Sequence, residues 1–281
     1  VDSMQIYRGM TIGTAAPTPE ETEGIPHHMV AVADPAEKWS VARFTEAADA
    51  CIQDILRRGK LPILVGGTGL YLDAIISGLT FAPGEAGGAV RKELEAQLAR
   101  DGIAPLWEEL QQVDPEAAAR LHIADEKRIL RALEVYRETG CTISEHNRRT
   151  AALPRRYNPI YIGLAFRDRA DMRDLIDRRV DAMMDAGLLG EVQALLEQGV
   201  PRTSTAFQAI GYKELLSAVD GQVPLEEAVA EIKLRSRQYA KRQLTWLRRN
   251  PAIHWIYWEK DRDFACALQI STEILTASGL G

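Results

Sequence analysis

The chain has 281 residues, 46% hydrophobic and 26% charged, with a formal net charge of −6. That is the composition of a globular protein with a sizeable core and one or two domains, and it excludes a disordered chain and an even coat of positive charge. The longest apolar runs fall well short of the ~20 residues a membrane-spanning helix needs and no basic-then-apolar leader is present, so a cytoplasmic protein with no membrane partner is expected.

The chain begins with Val1 rather than Met, and Val1, Asp2 and Ser3 read as the end of a strand whose beginning is missing. The expectation is the remainder of a longer protein, with a first strand and its phosphate-binding loop ahead of it. Residues 9–26, rich in Gly, Thr and Pro, read as an exposed loop. A short strand is expected at 27–32, where His27 and His28 point to opposite faces and make poor partners for one metal ion. Residues 42–58 form an amphipathic helix pattern with Phe44, Ala47, Ala48, Cys51, Ile52 and Ile55 along one side and Gly59 as its terminator.

The stretch LPILVGGTGLYLDAII at 61–76 organises the rest. Its first five residues suit a strand buried on both faces, Gly66 and Gly67 allow a tight turn and close approach of a ligand, and Thr68 and Gly69 open a helix. Strand, helix and strand at this spacing make a βαβ unit with a parallel sheet, whose ligands sit beyond the carboxyl ends of the strands. A strand-to-helix turn without a ligand accounts for these residues equally well.

Residues 83–88 read as a joint, and 89–145 are nearly all helical, with helices at 90–100, 106–113 and 126–139. An inserted helical domain at 84–154 follows, between core segments 1–83 and 155–281. A strand returns at 160–164, then helices at 173–186, 189–198, 212–219 and 225–247, and a last short strand at 254–257. Cys51, Cys141 and Cys266 stand in no disulfide or zinc spacing.

Asp2 sits where a strand would deliver a carboxylate to the ligand crevice, as a general base or a metal ligand, with Ser3 and Gln5 beside it to hydrogen-bond a base edge. An Asp in that place also serves as a turn former. Lys127, Arg128 and Arg131 form a basic group in the insertion, and Arg91 lies past its joint. Residues 233–249 hold seven basic side chains and no acidic one, which suits a polyanion and equally a solvated helix face.

Five motifs, in order, resemble the bacterial tRNA dimethylallyltransferase family: DSMQIYRGMTIGTA at 2–15, ILVGGTGLYLDAI at 63–75, KRILRALEVY at 127–136, QAIGYKEL at 208–215 and YAKRQLTWLRR at 239–249. The resemblance implies an α/β fold, a P-loop NTPase-like parallel sheet core with an inserted all-helical domain. It implies transfer of a dimethylallyl group from dimethylallyl diphosphate to the exocyclic N6 of an adenosine adjacent to the tRNA anticodon, with Mg2+, by a monomer. It makes Asp2 the catalytic base, with Ser3, Met4 and Gln5 lining the pocket for the flipped-out adenine. Thr68 and Arg91 are expected to touch the RNA. Lys127, Arg128, Ile129, Leu130 and Arg131 would grip the anticodon stem-loop from the insertion, and Phe207, Gln208, Ala209, Ile210, Gly211 and Tyr212 would contact the loop from the core. The sequence departs from the family's pattern at Leu175, where an arginine is usual; Arg173, Arg178 and Arg179 lie close. The metal ligands are not assigned. Adenylate prenyltransferase activity on free nucleotides, an inactive RNA-binding remnant and, more weakly, a nucleoside kinase are the competing readings.

Overall fold

The structure, a computed structural model, describes residues 1–79, 81 and 88–280. It divides into two compact units, Val1–Ile75 with Asn158–Gly281, and Ile76–Tyr157. The joint expected at 83–88 lies, apart from Gly88, outside the described residues.

In chain order the elements are α1 (Val41–Arg57), α2 (Gly69–Ser77), α3 (Ala89–Asp101), α4 (Ala104–Val113), α5 (Pro115–Arg120), α6 (Glu126–Thr139), α7 (Ile143–Ala151), β1 (Tyr161–Phe166), α8 (Arg169–Asp185), α9 (Leu188–Glu197), a 3-10 turn at Ala206–Gln208, α10 (Tyr212–Val219), α11 (Leu225–Leu247), β2 (Ile253–Trp258) and α12 (Phe264–Ala277). Strands β1 and β2 pair in parallel from Tyr161 opposite Ile253 to Phe166 opposite Trp258. Ile256, Trp258 and Ala267 form a core there, with Ile162, Phe166 and Ile270 packed against it. Helix α1 begins where the Ser40 hydroxyl accepts from the Arg43 amide, and it buries Phe44, Thr45, Ala48 and Ile52.

The second unit is all helical among its described residues. Its core joins Leu94, Leu106, Leu110, Ala117, Ala118, Ile129, Leu130, Ala132 and Leu133. One buried carboxylate holds two helix starts together: Asp114 Oδ1 accepts from the Ala117 amide at 2.9 Å and Oδ2 from the Ser144 amide at 3.0 Å. Both oxygens are thereby satisfied, as burial demands.

The early strands differ from expectation. Residues 61–65 are not a strand, and Ile63 and Val65 are 77% and 73% exposed. Among the described residues no strand runs alongside them, so they have no ladder to join. Residues 27–32 are not a strand either: Met29 and Ala31 adopt left-handed φ of 63° and 51°, which breaks an extended run. Instead the Ala31 amide donates to the Gln5 carbonyl at 2.9 Å, next to a parallel bridge between Tyr7 and Ala33. Asp2 lies before a turn rather than at the end of a strand.

Helix α11 closes on the segment leading into α2. A Cβ at Gly67 would overlap the Gln243 side-chain amide, and one at Gly69 would overlap the Trp246 indole. These two glycines therefore make room for α11. Gly69→Ala should cost about 1–3 kcal/mol through overpacking against Trp246. Gly190→Ala, in α9 with open space around its Cβ position, should instead gain about 0.5–1 kcal/mol from helix propensity. Urea denaturation of the two variants checks the contrast, and equal effects would contradict it.

Candidate active site

Asp2 is half-buried, and its Oδ1 accepts from the amides of Met4 at 2.7 Å and Gln5 at 3.2 Å. The side chain thus shapes the turn that follows it. Its Oδ2 makes no hydrogen bond among the described residues, which leaves one oriented carboxylate oxygen. Gln5, expected to read a base edge, donates its side-chain amide to the carbonyls of Thr14 at 3.1 Å and Ala15 at 3.0 Å. Those donors are committed to the chain itself.

The loop held by Gln5 is anchored at its other side by Glu191 of α9, a residue the sequence reading did not single out. Glu191 Oε2 accepts from the Thr11 amide (2.8 Å), the Thr11 hydroxyl (3.0 Å) and the Ile12 amide (2.8 Å). Its Oε1 accepts from the Gly13 amide at 3.0 Å and from the Tyr212 hydroxyl. Gly13 has no room for a side chain, since a Cβ would lie 2.5 Å from the Tyr212 ring and 2.7 Å from Leu188. Tyr212 is fully buried; burial first, and then the Glu191 carboxylate, push its phenol far above its ordinary range. It remains a protonated donor.

Residues Gln243 and Trp246, which meet the glycine loop, share one face of α11 with Tyr239, at offsets of four and seven residues. Trp246 Nε1 donates to Asp73 Oδ2 of α2 at 2.9 Å. Tyr71 of α2 packs on Phe44 with ring centroids 4.8 Å apart. Its phenol is raised mainly by burial, with smaller contributions from Tyr7, Asp2 and Tyr239. Thr68 is half-buried, and its hydroxyl oxygen is shielded from solvent without a hydrogen-bond partner among the described residues. The Tyr7 hydroxyl and the Trp39 indole nitrogen are shielded in the same way, and a polar atom so placed is satisfied by water, an ion or a ligand.

The basic run on α11 divides in two. Toward its start, Lys233 pairs with Asp181 at 2.5 Å, Arg237 with Asp177 at 2.6 Å and Arg235 with Glu231 at 2.6 Å. Toward and just past its end, Lys241, Arg242, Arg248 and Arg249 are exposed and have no carboxylate partner among the described residues. Arg242 and Arg249 lie over the rings of Tyr239 and Trp246, at 5.6 and 5.2 Å. The same helix end that meets the glycine loop thus carries the available positive charge. A separate cleft of about 740 Å³ between α8 and the β2–α12 connection is walled by Asp171, Asp174, Asp177 and Asp181 with Arg178 and Lys260, and Leu175 lines it.

The residues expected to touch RNA fall into two groups. Ile129 and Leu130 are 0% and 1% exposed in the helical core, and Phe207, Ala209, Gly211 and Tyr212 are buried too. The side chains of Ile129, Leu130, Phe207, Ala209 and Tyr212 point into the fold, and Gly211 has none. Lys127, Arg128 and Gln208 are exposed, while Arg131 and Ile210 are half-buried. Arg128 pairs with Asp125 at 3.2 Å, Arg131 with Glu134 at 2.9 Å, and Arg91 with Glu95 at 2.8 Å. Ser3 and Met4 are half-buried in the turn after Asp2. Among the described residues no group of three or more His, Cys, Asp or Glu side chains could hold a metal ion, and Asp2 would contribute only one carboxylate. These residues do not form a protein-built metal site. No helix among the described residues is long and apolar enough to cross a membrane.

The first unit thus carries an oriented carboxylate, a glycine loop closed by a helix and, among the described residues, cations without a carboxylate partner on that helix. The comparisons with known proteins identify the family. The model of the family described as IPP transferase matches residues 5–250. A tRNA dimethylallyltransferase of Symbiobacterium thermophilum is 48% identical over 255 residues, which cover 91% of this chain and 79% of the relative. Among solved structures, the full-length tRNA isopentenylpyrophosphate transferase of Bacillus halodurans superimposes with a TM-score of 0.68 at 41% identity, covering 99% of this chain and 88% of that one. A eukaryotic dimethylallyltransferase acting on tRNA does so with a TM-score of 0.79 at 28% identity, covering 98% and 72%. The chain belongs to the IPP transferase family, and it is a prenyl-transferring enzyme.

Burial raises the Asp73 carboxyl above its ordinary value of 3.8, with the Trp246 hydrogen bond opposing. A raised carboxyl disfavours the ionised form in the fold, so stability is lost as pH climbs from 3.8 through the raised value. Asp73→Asn keeps an oxygen for Trp246 and carries no charge. In denaturant titrations it should be more stable than the parent at neutral pH, and the gap should close below the ordinary carboxyl range. A gap that widens on acidification would contradict this reading.

Proposed function

We propose that the protein transfers the dimethylallyl group of dimethylallyl diphosphate to N6 of an adenosine adjacent to the anticodon of tRNA, acting as a monomer in the cytoplasm. The observation that carries the chemical assignment is the Asp2 carboxylate, oriented through Oδ1 by two backbone amides and unengaged at Oδ2. In this reading Asp2 Oδ2 takes a proton from the adenine amine as that nitrogen bonds to the allylic carbon, and the carbon–oxygen bond to diphosphate breaks with its electron pair leaving on the diphosphate. An aromatic amine is a weak nucleophile, so a held base and a fixed geometry matter.

The growing charge on the diphosphate needs cations and amides. Lys241, Arg242, Arg248 and Arg249, at the end of the helix that meets the glycine loop, support the core unit in that role. Mg2+ would be held chiefly by the diphosphate oxygens, as is usual for this ion. The target adenine must leave its stack, at a cost of a few kcal/mol. Thr68, with its unpartnered hydroxyl, and Ser3 and Met4 beside Asp2 are proposed contacts for the adenine nucleotide. The helical unit grips the stem-loop through Lys127, Arg128, Arg131 and Arg91, and Gln208 and Ile210 offer contacts from the core unit. The exposed Arg128–Asp125 pair is weak and exchanges readily for phosphate, whereas Arg131 is held by the buried Glu134 carboxylate.

Asp2→Ala should abolish transfer while tRNA affinity stays within about tenfold, or ~1.4 kcal/mol. Turnover near the parental rate would remove Asp2 as the base. Replacing Lys127, Arg128 and Arg131 together by Ala should weaken tRNA binding and flatten its dependence on salt, by about 2–3 units of slope if each cation meets a phosphate. An unchanged slope in filter-binding titrations would exclude the helical unit from phosphate contact.

A further inference from the structure

Glu191 has no part in the chemistry above, yet its carboxylate gathers five donors: three successive loop amides, the Thr11 hydroxyl and the Tyr212 hydroxyl. A carboxylate has roughly four lone-pair positions, so this one is saturated and unavailable as a base or metal ligand. What it does is fix the backbone of Thr11, Ile12 and Gly13 against α9 and α10. The other side of the same loop, at Thr14 and Ala15, takes both bonds from the Gln5 side chain. The Gln5 backbone amide in turn donates to Asp2.

We propose that Glu191 is a positioning residue for transfer: it holds the 11–15 loop, and through Gln5 that loop holds the turn that aims Asp2. The physical case rests on continuity. Glu191 and Gln5 bind the two sides of one short loop by hydrogen bonds between segments, the bond from Gln5 to Asp2 lies within the turn itself, and the anchor is charged, which makes its bonds to backbone amides stronger than neutral ones. Gly13 and Tyr212 add a steric latch, because the loop approaches the Tyr212 ring too closely for any side chain at 13. Tyr212 also closes the 207–212 segment, so one carboxylate links the turn carrying the base to the stretch proposed to face RNA.

The inference rests on Asp2 being the base, and the test separates the two. In the full-length protein, single-turnover transfer is measured at saturating tRNA and dimethylallyl diphosphate, alongside tRNA affinity. Glu191→Gln replaces an acceptor oxygen by an NH2 facing backbone N–H groups. It should slow the step by about 10- to 100-fold, the scale of a misaimed catalytic group, and leave tRNA affinity within about threefold. Glu191→Asp, which keeps the charge, should recover about tenfold of that loss. Gln5→Ala should slow the same step, and combined with Glu191→Gln the losses should be less than multiplicative, since both act through one loop. Should Glu191→Gln fail to fold, Gln5→Ala and Glu191→Asp carry the test. A rate for Glu191→Gln within twofold of the parent overturns the positioning claim, as does full multiplicativity with Gln5→Ala, or, where Glu191→Gln does not fold, a parental rate for Gln5→Ala. If Asp2→Ala itself turns over normally, the base assignment falls instead, whatever Glu191 does.

Discussion

The close approach of α11 to the glycine segment is the constraint on which the core unit's chemistry depends. Without side chains at Gly67 and Gly69, Gln243 and Trp246 can seat directly against the backbone there, and the Trp246 hydrogen bond to Asp73 fixes the seat. One helix face then does two jobs. Its apolar and amide side chains set the loop, and the cations beyond them remain in water, where a diphosphate or RNA phosphate can reach them. The start of the same helix is neutralised by α8 through Asp177 and Asp181. Among the described residues, unpaired positive charge is thereby confined to one end of a stretch, 233–249, that carries no acidic residue of its own.

A second set of bonds serves the carboxylate. Asp2 is a turn former and carries a free oxygen at once, and these roles support each other: the bonds to Met4 and Gln5 that use Oδ1 are what orient Oδ2. A side chain held by two backbone amides loses little freedom when a substrate arrives, which suits the role of base proposed for Asp2.

Much of the fold was legible because periodicity and caps are local. Helices α6, α10 and α11 fall where the apolar spacing put them, and the parallel strands β1 and β2 begin and end within two residues of the sequence reading. The stretches at 27–32 and 61–65 differ from expectation for separate reasons: left-handed φ at Met29 and Ala31 breaks the first, and the apolar run of the second cannot report whether a partner lies alongside. The site was legible in part. Asp2 and the glycine segment announce themselves by residue type, but Gln5 was given to a ligand and the structure spends its donors on Thr14 and Ala15. Glu191 was invisible. It stands some 180 positions from the loop it binds, in a helix where one acid in the first turn is unexceptional. Ile129 and Leu130 are buried, because a contiguous motif on a helix always sends some of its residues inward.

The most direct test of the central claim is the partition of label from radioactive dimethylallyl diphosphate between tRNA and free AMP offered together to the full-length protein with Mg2+. The account predicts label in tRNA, recovered after nuclease digestion on N6 of an adenosine next to the anticodon. Label accumulating in AMP, or on tRNA at another atom, would contradict it.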